Sequence, residues 1–168
     1  MANHPSRGRV VGMSAAAPSD AADSERFARL RGVGTELFVY GTLQFGPVLE
    51  ELIGRTPEFE LAVTRDRRVA ALPGRLYPGL VPEPGRMAGG LVLGDLTPAE
   101  WRILDAFEDE EYELRPIELI GHDKPVPTYV WTADVTRNDW HPEVFATDHL
   151  ARYLAYCARW RREAQWES

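Results

Sequence analysis

With 168 residues, 44% of them hydrophobic and 27% charged, the chain is long enough for one ordinary soluble globular domain whose core needs no staples. Its formal net charge of −7, with basic residues interspersed among acidic ones, argues against nucleic acid as a partner, because tracking phosphates needs a basic patch or stripe. No apolar run approaches the roughly 18 residues of a membrane span, and the single cysteine, Cys157, excludes an intramolecular disulfide and a cysteine-rich zinc site.

The opening stretch, MANHPSRGRVVGMSAAAPSD, lacks a sustained apolar segment of about 7 to 15 residues, so it reads as neither a signal peptide nor an anchor. Together with the lone cysteine this fits a reducing cytoplasm. Residues 1–34 are expected to form a flexible tail, rich in Ala, Ser, Pro and Asp, with a short helix over Asp23 to Leu30 that Gly32 and Gly34 end. Residues 35–168 form the folded domain.

The domain begins with an apolar strand, Glu36 to Tyr40, broken at once by Gly41 and Thr42 in the turn YGTL. A helix over Pro47 to Ile53 follows, with Val48, Leu49, Leu52 and Ile53 at helical spacing and Gly54 as its stop. Four short strands are expected next, Phe59 to Thr64, Arg68 to Leu72, Gly74 to Tyr77 and Gly89 to Leu93, separated by the turn signals PGR, YPG and PEPG. Such closely spaced hairpins, cornered by Pro and Gly, point to a curved sheet or small barrel.

Thr97 then reads as a helix N-cap, with Pro98 at the first helical position and Glu100 in the capping-box place. That helix carries Trp101, Ile103, Leu104 and Phe107 and delivers four consecutive acids, Glu108 to Glu111. Strands over Tyr112 to Ile120 and Val126 to Trp131 follow. A loop with Trp140 and His141 leads to a terminal helix from about Asp148 to Glu163, whose Leu150, Tyr153, Leu154, Cys157 and Trp160 share one face. Cys157 lies within that stripe and reads as a buried structural thiol. The aromatic-rich helix is a candidate oligomer interface, and no oligomeric state follows from the sequence.

Two places are candidates for chemistry. The YGTL turn lacks the GxxxxGK and GxGxxG phosphate patterns. It is either plain architecture or a set of backbone N–H groups, from Gly41, Thr42 and Leu43, able to hold a carboxylate or a developing oxyanion. The acidic cluster is either solvated surface or the source of one carboxylate, Glu108, set against an aromatic wall where burial would suit it to acid/base work. The histidines His4, His122, His141 and His149 have no metal-ligand spacing, and no GxSxG elbow exists. No metal or organic cofactor is called for.

Taken in order, LFVYGTLQ, GRLYPGLVPEPGRMAGGLVLG, LDAFEDEEYELRPIEL and TYVW resemble the gamma-glutamylcyclotransferase-like superfamily, in particular its avirulence-induced-gene-like branch. The resemblance runs from about Leu37 to Trp160. Thr42 stands where many relatives have Ser, which retains the hydroxyl.

This resemblance implies an α+β fold, a small mixed β-barrel surrounded by helices with the pocket at one barrel mouth. It implies that Tyr40, Gly41, Thr42 and Leu43 bind the glutamyl end of a small-molecule substrate and that Glu108 is the catalytic acid/base. The implied reaction is metal-independent closure of a gamma-glutamyl amine, amino acid or peptide to 5-oxoproline, with release of the amine. Gly41 would let the backbone approach the ligand without a Cβ in the way. Tyr77 and Tyr112 are expected to line the pocket through their hydroxyls; Arg75, Trp140 and His141 are weaker candidates. The rival reading is a binding or regulatory module that keeps the barrel without the activity.

Overall fold

The structure, a computed structural model, describes residues 27–164; of the tail expected over residues 1–34, residues 1–26 lie outside the described residues. Five strands, β1 (Leu37–Val39), β2 (Phe59–Ala71), β3 (Pro78–Leu93), β4 (Tyr112–Ile117) and β5 (Val126–Trp131), form one mixed sheet in the order β2-β3-β1-β5-β4. Four helices pack around it, α1 (Gly46–Ile53), α2 (Pro98–Phe107), α3 (Pro142–Asp148) and α4 (Leu150–Glu163).

The sheet closes on itself. β3 is long enough to serve two partners: its C-terminal half pairs antiparallel with β1, Leu37 opposite Leu93, while its start lies parallel to β5, Leu80 opposite Val130. β1 and β5 are also parallel neighbours, Phe38 opposite Thr128. On the far side the chain leaving β4 meets β2, where Ile120 N–H donates to the Val63 carbonyl at 2.9 Å and the Thr64 hydroxyl to that of Glu118 at 2.9 Å. The expected small mixed barrel with surrounding helices is thus what the chain forms.

Several local expectations change. The two strands expected over 59–64 and 68–72 are one strand, β2, because the irregularity between them is a register break at Asp66, whose backbone is left-handed (φ 57°). Opposite it, PEPG is an excursion of β3 rather than a strand end, and Gly85 N–H donates to Asp66 Oδ1 at 2.8 Å. The strand expected over Gly74 to Tyr77 is a turn; pairing starts at Pro78. The terminal helix expected from about Asp148 to Glu163 is α4, and α3 precedes it in the stretch expected as a loop.

Side chains alternate across the wall, as strand geometry requires. Phe38, Leu80, Ala88, Val92, Val126 and Val130 meet in an inner cluster, while Leu37, Val39, Leu93, Tyr129 and Trp131 join the helices in a larger outer core with Leu49, Leu52, Leu104 and Trp160. Gly79 carries no side chain because a Cβ there would run into Trp131. Cys157 is fully buried in the outer core, and burial, followed by the nearby Glu51 charge, pushes its thiol pKa up, as befits a structural residue.

α2 is fixed at its start as the sequence requires. Glu100 N–H donates to Thr97 Oγ1 at 3.1 Å, and Thr97 N–H donates to Glu100 Oε1 at 3.0 Å. Arg55 adds a fork to the same carboxylate, at 2.6 and 2.7 Å, and holds its pKa below the ordinary range. Replacing Thr97 with Ala removes one arm of the capping box, and urea unfolding is expected to show a loss of about 1 kcal/mol with an unchanged slope.

Candidate active site

α2 buries Trp101, Leu104 and Phe107, so the residue after Phe107 is carried to the barrel mouth as the helix ends. Glu108 N–H still donates to the Asp105 carbonyl at 3.3 Å, but its backbone is already extended (φ −74°, ψ 145°). The chain then turns tightly, with Tyr112 N–H donating to the Asp109 carbonyl at 3.1 Å, and enters β4. Across the mouth, β1 ends and the YGTL turn begins.

A concavity lies between these segments. Its walls include Tyr40, Gly41, Thr42, Leu43, Tyr77, Glu108 and Tyr112, so the main site residues expected from the sequence face one space. Phe38, Val39, Pro78, Phe107, Asp109 and Tyr129 complete the lining. Glu108 is half-buried, whereas Asp109 is only 2% exposed; Glu110 faces water, and Glu111 pairs with Arg75 at 3.3 Å.

The turn is held from three sides. Thr42 to Gln44 form one 3-10 turn, in which Gln44 N–H donates to the Gly41 carbonyl at 3.1 Å and Phe45 N–H to that of Thr42 at 3.2 Å. A turn of this kind leaves its leading amides, those of Thr42 and Leu43, without a helical acceptor. The Gln44 side-chain amide donates to the Tyr40 carbonyl at 2.6 Å, and the Thr42 hydroxyl lies 3.2 Å from that of Tyr153 on α4.

Gly41 has a packing reason of its own. A Cβ at this position would lie 2.8 Å from Pro78 Cγ and 2.9 Å from Pro78 Cδ, so the absent side chain makes room for a proline ring. Pro78 is itself part of the pocket wall.

Four tyrosines form a collar whose O–H groups are already committed. Tyr40 donates to the Tyr129 carbonyl, Tyr77 to Asp109 Oδ2, Tyr112 to the Pro78 carbonyl at 2.5 Å, and Tyr129 to Asp105 Oδ1 at 2.6 Å. Tyr77 and Tyr112 therefore shape the wall with their rings and have spent their protons on the protein. Burial is the main cause that raises the pKa of Tyr40, Tyr112, Tyr129 and Tyr153, and the Glu108 charge adds to it in all four. Tyr77 is raised by burial and then by Asp109. A carboxylate ringed by neutral hydroxyls in a partly dry concavity can accept a proton from a bound ligand and return it.

The weaker candidates stand outside this lining. Arg75 lies 5.0 Å from the centre of the Trp131 ring. The Trp140 indole donates to the Leu76 carbonyl at 2.7 Å and so pins its loop, while His141 is exposed at the start of α3. Sequence reasoning missed the burial of Asp109 and the part played by Tyr129. The nearest signal for the second was its place in TYVW, and none marked the first.

A small closed barrel with helices around it, and a carboxylate facing a glycine turn across one mouth, defines a small-molecule pocket protein of the cyclotransferase-like fold. A family model described as "Gamma-glutamyl cyclotransferase, AIG2-like" matches residues 37–149, and the chain belongs to that family. Among Arabidopsis thaliana proteins, AIG2-like protein A is 37% identical over 126 residues, covering 70% of this chain and 76% of the relative. AIG2-like protein C is 38% identical over 100 residues, 57% of this chain, and the match spans only 58% of that relative's length.

Among solved structures, an Arabidopsis thaliana protein determined in solution shares 27% identity with a TM-score of 0.56, covering 80% of this chain and 95% of its own. A structure named gamma-glutamyl cyclotransferase has a TM-score of 0.52 at 12% identity over 73% of this chain and 85% of its own, a likeness of fold.

Two outcomes follow from the geometry. Gly41→Ala is expected to lower stability by about 1–3 kcal/mol, because the Pro78 ring must move to admit the methyl group; urea unfolding measures it. The buried tyrosines set an alkaline limit. Their folded pKa values lie above the unfolded value of about 10, so above that pH the unfolded chain releases protons that the folded one keeps, and stability falls as pH rises. Unfolding free energy measured at pH 8 and at pH 11 is expected to be lower at the higher pH, while the spectrum of the folded protein retains un-ionised tyrosine.

Proposed function

We propose that the chain is a gamma-glutamylcyclotransferase-type enzyme, a metal-independent acyltransferase or lyase that closes a gamma-glutamyl amine, amino acid or peptide to 5-oxoproline and frees the amine. The observation that carries this reading is the position of Glu108, half-buried in the same concavity as the YGTL turn and acting electrostatically on the buried tyrosines around it.

The substrate's α-amino group enters as an ammonium ion, which is no nucleophile. Glu108 takes one of its protons, and the freed amine attacks the γ-carbonyl of the same glutamyl unit. A C–N bond forms in the new five-membered ring while negative charge gathers on the carbonyl oxygen, near the Thr42 and Leu43 amides. The bond to the departing nitrogen breaks as Glu108 returns the proton to it, and the ring nitrogen gives up its second proton, which leaves on the freed amine as an ammonium ion. One carboxylate completes the cycle, ending in the state in which it began.

Ring closure within one molecule gains most from being held folded, since the reacting atoms then need no encounter. The aromatic collar supplies that confinement. Its hydroxyls, committed to Asp109, Asp105 and backbone carbonyls, stay neutral and do not compete with Glu108 for the proton.

Mass spectrometry of 5-oxoproline release, from a panel of gamma-glutamyl amines, amino acids and peptides, tests the proposal. Wild type is expected to turn over at least one member, and a folded Glu108→Gln variant to lose about 100- to 10,000-fold in kcat. No turnover across the panel, or an equally active variant, overturns the assignment and leaves a ligand-binding module as the better account.

A further inference from the structure

Arg29 belongs to a segment that precedes the family-matched residues 37–149. Its 3-10 turn, Ala28–Leu30, lies against the domain, and Phe27, Leu30 and Val33 pack onto the outer core. The sequence placed these residues in a tail. Their packing delivers one guanidinium to the back of the pocket.

There Arg29 Nε and Nη2 each lie 2.7 Å from Asp105 Oδ1, and Nη1 donates to the Tyr112 carbonyl at 3.2 Å. The guanidinium carbon is 5.4 Å from the centre of the Tyr129 ring. Asp105 is 2% exposed, and the same Oδ1 accepts the Tyr129 hydroxyl. Its backbone carbonyl accepts the Glu108 N–H. A carboxylate this buried is costly unless paired, and losing this cation, the one paired with it among the described residues, would leave an uncompensated charge beneath the pocket.

The geometry points to Arg29 as a positioning residue of the pocket: it neutralises Asp105 and bridges it to β4, so that the last turn of α2, which presents Glu108, is held against Tyr112 and Tyr129. Its effect on turnover rests on the acid/base reading of Glu108. The positioning itself does not, and can be read without catalysis.

The full-length chain carrying Arg29→Gln, Arg29→Lys, or Arg29→Gln with Asp105→Asn is compared with wild type in two ways. One is the amide chemical shifts of Glu108, Asp109, Tyr112 and Tyr129; the other is kcat and KM for 5-oxoproline release. Arg29→Gln is expected to displace those amides and to lower kcat about ten- to a hundredfold, through misplacement of the carboxylate, with KM within about twofold of wild type. Adding Asp105→Asn is expected to restore most of both, because the neutral amide oxygen still accepts from Tyr129 and no buried charge remains. Arg29→Lys should fall between, keeping the charge but losing the fork.

A simple loss of packing would lower stability without this rescue. Unmoved amides in Arg29→Gln, or no rescue by Asp105→Asn, overturn the proposal; should Arg29→Gln fail to fold, the shifts of Arg29→Lys decide, unmoved amides overturning it. A wild type inactive on every substrate, with amides displaced in the variant, removes the catalytic reading and leaves the positioning role standing.

Discussion

Three consecutive residues, Pro78, Gly79 and Leu80, carry both the closure of the barrel and the shape of its mouth. Leu80 opposite Val130 brings the start of β3 beside β5. Gly79 admits the Trp131 side chain at that crossing, and the Pro78 ring fills the space that a Cβ on Gly41 would need. The Pro78 carbonyl also receives the Tyr112 hydroxyl. Moving this tripeptide by even a methyl group would disturb the strand crossing, the YGTL turn and the tyrosine collar together, because closely packed interiors transmit such changes.

The collar follows from that closure. Tyr40, Tyr77, Tyr112 and Tyr129 meet at one end of the barrel, where a buried hydroxyl without a partner would be costly. Each hydroxyl therefore has an acceptor, and two of those acceptors are the buried carboxylates Asp105 and Asp109. The same low-polarity setting makes the Glu108 charge felt by its neighbours. Packing and electrostatics at the mouth are one arrangement.

Asp105 and Glu108 show how one helix end serves two roles. Both belong to the stretch LDAFE, separated by one short turn. Asp105 points into the protein, where Arg29 and Tyr129 meet it, and Glu108 opens to the concavity as the backbone leaves the helix. An unbroken helix would set residues three apart on one face; the end of α2 at Glu108, where the backbone becomes extended, separates the two acids.

By itself the sequence determined what depends on neighbours in the chain. The Thr97 capping box, α1 with its Gly54 stop, the apolar face of α2 and the break after β1 were all legible, since caps, turns and helical spacing are local chemistry. The ordered motifs carried the family, and with it the expectation that the YGTL turn and Glu108 share a pocket. Only the tertiary structure decided which residues meet across the chain. The burial of Asp109 beside Tyr77, the Pro78 ring against Gly41 and the Arg29 partner of Asp105 each join segments distant in sequence. Their cause is closure of the barrel, a contact between residues far apart that no local propensity encodes.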